Sequence, residues 1–264
     1  MGNRPIGVFD SGVGGLTVLV ELQTQLPKES FIYIADQKYI PYGTKSRSTV
    51  KARALALATF LEEKNVKIIV VACNTATVIA IDALRKECPV PIIGIVPVIK
   101  TAAEKTKTKK IAVFATPATT KSAYLTRLIK KFADGAYVYK NGATRLEDLI
   151  ETGDLTNPKI ERILKKHLLL LKKAGVDVIA LGCTHYPFLK DRMQKIVGKN
   201  ILILDSGGAA ARQTKRVLEE EEIKALSLAK KSKDWYYTTG DASAFQNVVK
   251  KLLGKKIHAV HIDL

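Results

Sequence analysis

Two cysteines stand in matching local sequences of this 264-residue chain. Cys73 lies in the string Ala72-Cys73-Asn74-Thr75-Ala76, and Cys183 lies in Gly182-Cys183-Thr184-His185-Tyr186. Each string follows a β-branched hydrophobic run and precedes a helix-like segment. This order predicts a thiol at the carboxyl end of a parallel strand, the edge where open α/β sheets bind ligands. Two such thiols, 110 positions apart, indicate a duplicated unit in which each half turns one thiol towards a shared cleft.

Paired thiols in a cleft suit the inversion of a stereocentre without a cofactor. One thiolate removes the α-proton while a thiol on the opposite face delivers another, and the roles swap with the direction of reaction. The start of the helix that follows Cys73 is expected to lower the pKa of its thiol below the usual value of about 8.5. His185 could orient a thiolate, compensate its charge or pass on a proton. A purely structural hydrogen bond is the alternative for this histidine.

A different chemistry is open to a Cys–His pair, namely nucleophilic catalysis as in a thiol hydrolase. That reading needs one activated cysteine and leaves the second cysteine unexplained. The third cysteine, Cys88, precedes Pro89 at a predicted helix end, and we expect it to be structural. An odd number of cysteines without C-x-x-C spacing disfavours a disulfide scaffold and a zinc site. We therefore expect no metal, no cofactor and a reducing, cytoplasmic location.

A glycine-rich turn, Asp10-Ser11-Gly12-Val13-Gly14-Gly15, follows the first predicted strand. Backbone N–H groups exposed beside a helix N-terminus form a natural anion site. The spacing matches neither the dinucleotide fingerprint nor the P-loop, so the turn predicts carboxylate binding rather than nucleotide binding. A tight structural turn is the alternative. Asn74, Thr75 and Thr184, next to the two thiols, are candidate hydrogen-bond donors to a substrate carboxylate.

The elements that must position these residues alternate regularly along the chain. Hydrophobic runs predict strands at residues 6–10, 31–35, 68–72, 92–95, 111–115, 176–181, 201–204, 235–238 and 257–262. Helical patterns between them cover residues 16–25, 46–64, 77–86, 119–131, a long helix to 174, a helix from 209 and 243–252. Residues 134–158 read as a polar connection. Such alternation is typical of parallel sheets with helices on both faces.

The composition limits the possible partners. Hydrophobic residues make up 47% and aromatic residues 6% of the chain, and no apolar run reaches the length of a membrane span. The first residues show no signal-peptide core. Lysine and arginine total 43 against 25 acidic residues, a net charge of +18. The lysines are dispersed and no nucleic-acid-binding motif is present, so we expect only weak or nonspecific binding to nucleic acid. The positive field favours a dianionic small substrate.

Five collinear motifs carry a resemblance to the glutamate racemases of the aspartate/glutamate racemase family. They occupy residues 6–19, 41–44, 72–76, 181–187 and 203–206. The resemblance implies an α/β fold of two pseudosymmetric doubly wound domains, with mainly parallel sheets and the active site in the cleft between them. We expect the first domain to comprise residues 1–97 plus 208–264 and the second residues 98–207. Cofactor-independent interconversion of L- and D-glutamate for peptidoglycan, and a homodimer, are also implied.

The resemblance also implies roles for individual residues. Cys73 and Cys183 match the two proton donors and acceptors of the family, with Asp10, His185 and Glu151 as polar residues that assist them. The residues that match the substrate-binding set or line the cleft are Asp10, Ser11, Pro41, Tyr42, Gly43, Asn74, Thr75, Thr116, Thr119, Thr184 and His185.

One segment departs from the family pattern. The ending Leu149-Ile150-Glu151-Thr152-Gly153 fits, but the Cys-Pro and apolar stretch usual before it is replaced by polar and charged residues at 143–148. Two further functions stay open, one because this segment bears on substrate preference and the other because the net charge is +18. One is an aspartate or broad-specificity amino-acid racemase. The other is a basic protein that keeps the racemase fold in a DNA- or gyrase-linked regulatory role.

Overall fold

Two parallel β-sheets organise the protein. The computed structural model describes residues 3–225 and 233–264. The strands in these ranges are β1 (Ile6–Asp10), β2 (Phe31–Ala35), β3 (Ile68–Val71), β4 (Ile92–Gly94), β5 (Lys110–Ala115), β6 (Tyr137–Gly142), β7 (Val178–Gly182), β8 (Leu202–Leu204), β9 (Trp235–Thr238) and β10 (Ala259–His261).

Helices connect successive strands and cover the sheets. In the described ranges they are α1 (Leu16–Gln25), α2 (Arg47–Glu63), α3 (Asn74–Glu87), α4 (Ile99–Lys105), α5 (Pro117–Thr120), α6 (Ala123–Phe132), α7 (Leu146–Glu151), α8 (Pro158–Lys173), α9 (Lys190–Val197), α10 (Gly207–Glu220) and α11 (Ala242–Leu253). Three short 3-10 turns cover Gln37–Tyr39, Tyr42–Thr44 and Tyr186–Leu189.

The two sheets repeat one strand order. The first sheet runs β10-β9-β2-β1-β3-β4 and the second β6-β5-β7-β8, with parallel pairing throughout. The order β2-β1-β3-β4 therefore corresponds to β6-β5-β7-β8. In this correspondence β3, which leads to Cys73, matches β7, which leads to Cys183. The predicted fold class of two matched α/β units with parallel sheets is confirmed.

Local sequence explains where several elements begin and end. All five residues of β1 are buried, as expected for a central strand covered by helices on both faces. Ser46 accepts a hydrogen bond from the Thr49 N–H at 3.0 Å and caps α2. Gly175 adopts a φ of +79° after α8, a conformation that glycine reaches without steric cost.

The structure corrects the prediction for residues 134–158. This segment contains strand β6 and helix α7 instead of an irregular connection. β6 lies at the edge of its sheet and is only partly buried, so it lacks an apolar run. With six residues, α7 is too short to show a helical period. Helix α4 was also missed, and the single helix predicted at 119–131 is divided into α5 and α6.

A continuous hydrophobic cluster joins the two sheets. It includes Val8 and Leu19 from the first unit and Phe114, Leu164 and Ile179 from the second. The strand ends that carry the two cysteines are thereby held close together. Among the described residues, no helix combines the length and the apolar character needed to cross a membrane.

Candidate active site

One small cavity contains both cysteines that the sequence singled out. Cys73 is 5% and Cys183 is 7% exposed. The cavity is lined by Ser11, Pro41, Tyr42, Gly43, Cys73, Asn74, Thr75, Thr116, Glu147, Cys183, Thr184 and His185. These residues come from strand ends and helix starts of both sheets, so the cavity lies where the two units meet.

Cys73 is the N-cap of α3, and its sulfur accepts a hydrogen bond from the Ala76 N–H at 3.5 Å. The thiol also donates to Ser11 Oγ at 3.8 Å. Burial raises the pKa of the Cys73 thiol to about 12, and the nearby carboxyl of Asp10 adds to the effect. The expectation that the helix N-terminus would lower this pKa is wrong, because desolvation outweighs the helix contribution.

Cys183 has two polar neighbours. Its sulfur lies 3.7 Å from His185 Nδ1 and 3.8 Å from Glu147 Oε1. Burial raises the pKa of the Cys183 thiol well above its ordinary value, and the charge of Glu147 raises it further. Both cysteines are therefore neutral thiols at neutral pH. Either one needs a partner to become a thiolate.

His185 forms an ion pair with Glu151, with Nε2 2.8 Å from Oε1. Burial alone would lower the pKa of His185, but the hydrogen bond and charge of Glu151 outweigh it and raise that pKa to about 8. At neutral pH the ring is therefore an imidazolium with a proton on both nitrogens. Its Nδ1–H then faces the sulfur of Cys183 as a donor.

The glycine-rich turn binds an anion that belongs to the chain itself. The Val13 N–H donates to Glu151 Oε1 at 2.5 Å, and Gln37 donates to the other oxygen of Glu151 at 2.8 Å. The turn was predicted to hold a substrate carboxylate, but one of its backbone donors, at Val13, is already occupied by Glu151. Gly14 approaches His185 so closely that a Cβ would lie 2.4 Å from Nδ1, so the turn packs against the histidine as well.

Asp10 connects the two units at the end of β1. One oxygen accepts the Gly12 N–H at 2.8 Å, and the other accepts the Thr184 hydroxyl at 3.0 Å. Burial raises the pKa of Asp10 to about 6, while the charge of His185 opposes the rise. Asp10 therefore gains and loses its proton at a pH closer to neutral than an ordinary aspartate does.

The loop that carries Tyr42 is fixed by a buried ion pair. Tyr42 donates its hydroxyl proton to Asp36 Oδ2 at 2.5 Å. Arg53 forms two hydrogen bonds with the same carboxylate, at 2.8 and 3.0 Å. Pro41, Tyr42 and Gly43 are consequently held in place as one wall of the cavity.

The lining also contains amide and hydroxyl groups. Asn74 is 3% exposed, and its Nδ2 has no hydrogen-bond partner. A buried donor without a partner is costly unless a ligand completes it. Thr75 Oγ1 lies 3.1 Å from Thr116 Oγ1 across the two units, and Thr119 lies 3.5 Å from Thr75.

The structure brings the predicted site residues together around one cavity, with three in a second layer. Asp10, Thr119 and Glu151 are absent from the lining and support residues that line it. Sequence reasoning missed Glu147, which belongs to the segment that departs from the family pattern. A single glutamate in a short polar stretch carries no periodic signal of burial, yet this side chain is 7% exposed.

The remaining cysteine and histidines lie outside the cavity lining. Cys88 is half-buried at the end of α3, in agreement with a structural role. His167 Nδ1 contacts Asn141 Oδ1 at 2.6 Å. His261 is exposed and contacts the Gly240 carbonyl at 2.7 Å, and His258 is exposed as well.

Known proteins share both sequence and fold with this chain. The family described as Asp/Glu/Hydantoin racemase matches residues 7–214. A glutamate racemase of Pseudomonas putida is 40% identical over 254 residues, covering 96% of this chain and 95% of that protein. The crystal structure of a glutamate racemase isoform from Bacillus anthracis superposes with a TM-score of 0.92 at 34% identity, covering 100% and 99% of the two chains.

A second crystal structure adds a ligand-bound relative. The glutamate racemase of Francisella tularensis, in complex with D-glutamate, has a TM-score of 0.86 and 32% identity and covers 100% of this chain and 98% of its own. Family match, sequence identity and fold coincide over nearly the whole chain. The protein belongs to the Asp/Glu/Hydantoin racemase family.

Proposed function

We propose that this protein interconverts L-glutamate and D-glutamate without a cofactor, using Cys73 and Cys183 as the two acid–base groups. The observation that carries the proposal is that both thiols line one small cavity from two matched units. The relatives are named glutamate racemases, which supports the choice of substrate.

In this mechanism one cysteine acts as a thiolate and the other as a thiol. The thiolate takes the α-proton from one face of glutamate, and its electron pair stays on the α-carbon. The opposing thiol then protonates that carbon from the other face and becomes a thiolate. The charge of Asp10 raises the pKa of Cys73 and so favours the protonated thiol there. The His185 imidazolium stabilises a thiolate at Cys183.

The substrate contacts that we propose are made by hydrogen-bond donors that line the cavity. Asn74 Nδ2 is the strongest candidate donor to a substrate carboxylate, because it is buried without a partner. The hydroxyls of Ser11, Thr75 and Thr184 and the Tyr42–Gly43 wall complete the proposed contacts. Thr116 and Thr119 support Thr75 from the second unit.

The wider role that we propose is the supply of D-glutamate for peptidoglycan in the cytoplasm. A homodimer is part of the same proposal and rests on the family resemblance. Sedimentation of the purified protein at micromolar concentration would test it, and a single species of about 29 kDa would contradict it.

The test of the proposed function uses three matched cysteine variants. Cys73→Ser and Cys183→Ser are each expected to lower kcat/KM for glutamate racemisation by about a hundredfold or more, the scale of a lost acid–base group. Cys88→Ser is the control and should retain the activity, since Cys88 lies outside the cavity lining. Optical rotation starting from each enantiomer gives the rates. Activity that survives in both variants would contradict the two-thiol mechanism.

The substrate assignment has a separate test. The same assay with L-aspartate and D-aspartate measures the alternative of an aspartate or broad-specificity racemase. We expect glutamate to have the higher kcat/KM. A higher value for aspartate would reassign the substrate and leave the thiol mechanism intact.

A further inference from the structure

Glu147 is a carboxyl group that lines the cavity, unlike Asp10 and Glu151, which lie behind the lining residues. It lies in the first turn of α7 and lines the same cavity as both cysteines. Its Oε1 is 3.8 Å from Cys183 Sγ and accepts the hydroxyl of Tyr186 at 3.4 Å. Within the described ranges it forms no ion pair with a lysine or arginine. A buried carboxyl in contact with a thiol calls for a chemical explanation.

The other polar neighbour of Cys183, His185, faces the sulfur as a hydrogen-bond donor while its ring is charged. His185 is held by Glu151 through Nε2, and with a pKa of about 8 it carries a proton on both nitrogens at neutral pH. Its Nδ1–H can donate to a thiolate sulfur but has no lone pair to receive a proton. Glu147 Oε1 is therefore the protein acceptor in contact with the Cys183 thiol.

We propose that Glu147 exchanges a proton with Cys183 and so generates the thiolate on this side of the cavity. The inference rests on the proposed two-thiol racemisation. The S–H bond of Cys183 breaks, an O–H bond forms at Glu147 Oε1, and the electron pair stays on sulfur. The thiolate then takes the substrate α-proton while Cys73 delivers its own proton to the opposite face. After product release Cys73 regains a proton from water and Glu147 returns one to water.

The surroundings of Glu147 suit a proton acceptor. Burial raises the pKa of Glu147, with the charge of Asp148 adding to the rise and His185 and Tyr186 opposing it. A carboxylate with a raised pKa is a stronger base towards a thiol. The thiolate formed lies beside the His185 imidazolium, so the transfer places the new negative charge next to the positive one. Cys73 and Asp10 are the other titratable groups that act on Cys183.

The first test measures the contact between Glu147 and Cys183 without any activity. In a Cys73→Ser/Cys88→Ser background, Cys183 is the remaining thiol, and its alkylation by iodoacetamide is followed against pH by mass spectrometry. Glu147→Gln removes the neighbouring negative charge, so we expect the alkylation midpoint to move to lower pH. Asp148→Asn is the matched control, an exposed acid on the same helix, and should leave the midpoint unchanged. Equal midpoints in the two variants would contradict the contact.

The second test separates proton transfer from a mere charge effect. With all three cysteines present, Glu147→Gln should lower the plateau of kcat/KM by about tenfold. This is less than the hundredfold or more of a group that reacts with the substrate, because Glu147 acts through the thiol. Asp148→Asn should leave it unchanged. If the profile only shifts along the pH axis and the plateau is kept, Glu147 is a charge and not a proton acceptor, and the proposal is overturned.

A conservative variant distinguishes loss of the carboxyl group from misfolding. Glu147→Asp keeps the carboxyl but shortens the side chain by one methylene, so its plateau should lie between those of the parent protein and Glu147→Gln. A plateau for the Asp variant no higher than for the Gln variant would contradict a role for the carboxyl. If the parent protein does not racemise glutamate at all, the proposed function fails, whereas the alkylation result still decides whether Glu147 controls Cys183.

Discussion

His185 carries a positive charge beside the side chains of Asp10, Glu147 and Glu151. Its raised pKa means that the charge is complete below the ordinary value of 6.5 and is lost as pH rises through about 8. The stabilisation from the Glu151 pair follows the same course and disappears on the alkaline side. Racemisation that depends on the imidazolium should therefore decline above pH 8.

Removal of the Glu151 charge should lower the pKa of His185. In Glu151→Gln the hydrogen bond and charge that chiefly oppose burial are lost, while Asp10 and Glu147 remain. The pKa of His185 should therefore fall, and the alkaline limb of kcat/KM should move to lower pH. An NMR titration of the histidine ring measures the same shift without activity. Glu104→Gln, an exposed glutamate paired with Lys100, is the control. A His185 pKa that stays near 8 in Glu151→Gln would contradict this assignment.

At the scale of residues, sequence reasoning located most of the site. Cys73 and Cys183 were found because both the strand runs before them and the polar residues after them are repeated. Glu147 was not found, since burial of a carboxyl depends on how α7 packs against Cys183 and Tyr186. The pKa of Cys73 was predicted in the wrong direction, because local sequence shows the helix N-terminus but not the desolvation of the closed cavity.

The glycine-rich turn of the first unit packs directly against residues of the second unit. An added Cβ at Gly14 would lie 2.4 Å from His185 Nδ1 and 2.6 Å from Thr184 Oγ1. No side chain fits there unless the second unit shifts.

Gly14→Ala should therefore lower the free energy of unfolding by about 1–3 kcal/mol, as overpacked sites do, and should also lower kcat/KM. Gly208→Ala is the control, because a Cβ there would meet the side-chain ends of Arg212, Glu21 and Gln25 at ordinary contact distances of 3.4, 3.6 and 3.7 Å. Its stability should be unchanged or higher by about 1 kcal/mol. Chemical denaturation with both proteins measures the difference. Equal effects would show that the close approach at Gly14 is not required.

At the scale of elements, the bounds of the strands buried in the sheet centres were predicted to within a few residues. The predicted strand at residues 6–10 coincides with β1, and the strand at 31–35 coincides with β2. β6 and α7 escaped prediction because one lies at a sheet edge and the other is a single short turn fixed by tertiary contacts. The domain limits 1–97 with 208–264 and 98–207 stay a proposal, which limited proteolysis would test.

The whole molecule carries a net charge of +18, which raises the question of nucleic-acid binding. The charge is distributed over solvent-facing helices. On α8, for example, the exposed lysines are Lys159, Lys165, Lys166, Lys172 and Lys173. We read this pattern as a solvated surface that attracts a small dianion.

Binding to duplex DNA should accordingly be weak and nonspecific. We expect a dissociation constant of about 10⁻⁵ M or weaker at physiological salt, with log K falling steeply as log salt rises. Fluorescence anisotropy with two unrelated duplexes between low and physiological salt measures both properties. Tight binding to one duplex that persists at physiological salt would support the DNA- or gyrase-linked role instead.

Two thiols that act from opposite faces predict a specific isotope pattern. L-glutamate is incubated with the protein in D₂O and sampled at low conversion by mass spectrometry after separation of the enantiomers. The D-glutamate formed should carry one α-deuterium, whereas the remaining L-glutamate should keep its α-protium. The reason is that the thiol that delivers the solvent isotope is not the thiolate that removed the proton. Deuterium that enters L-glutamate as fast as D-glutamate appears would mean that one base serves both faces and would contradict the two-thiol site.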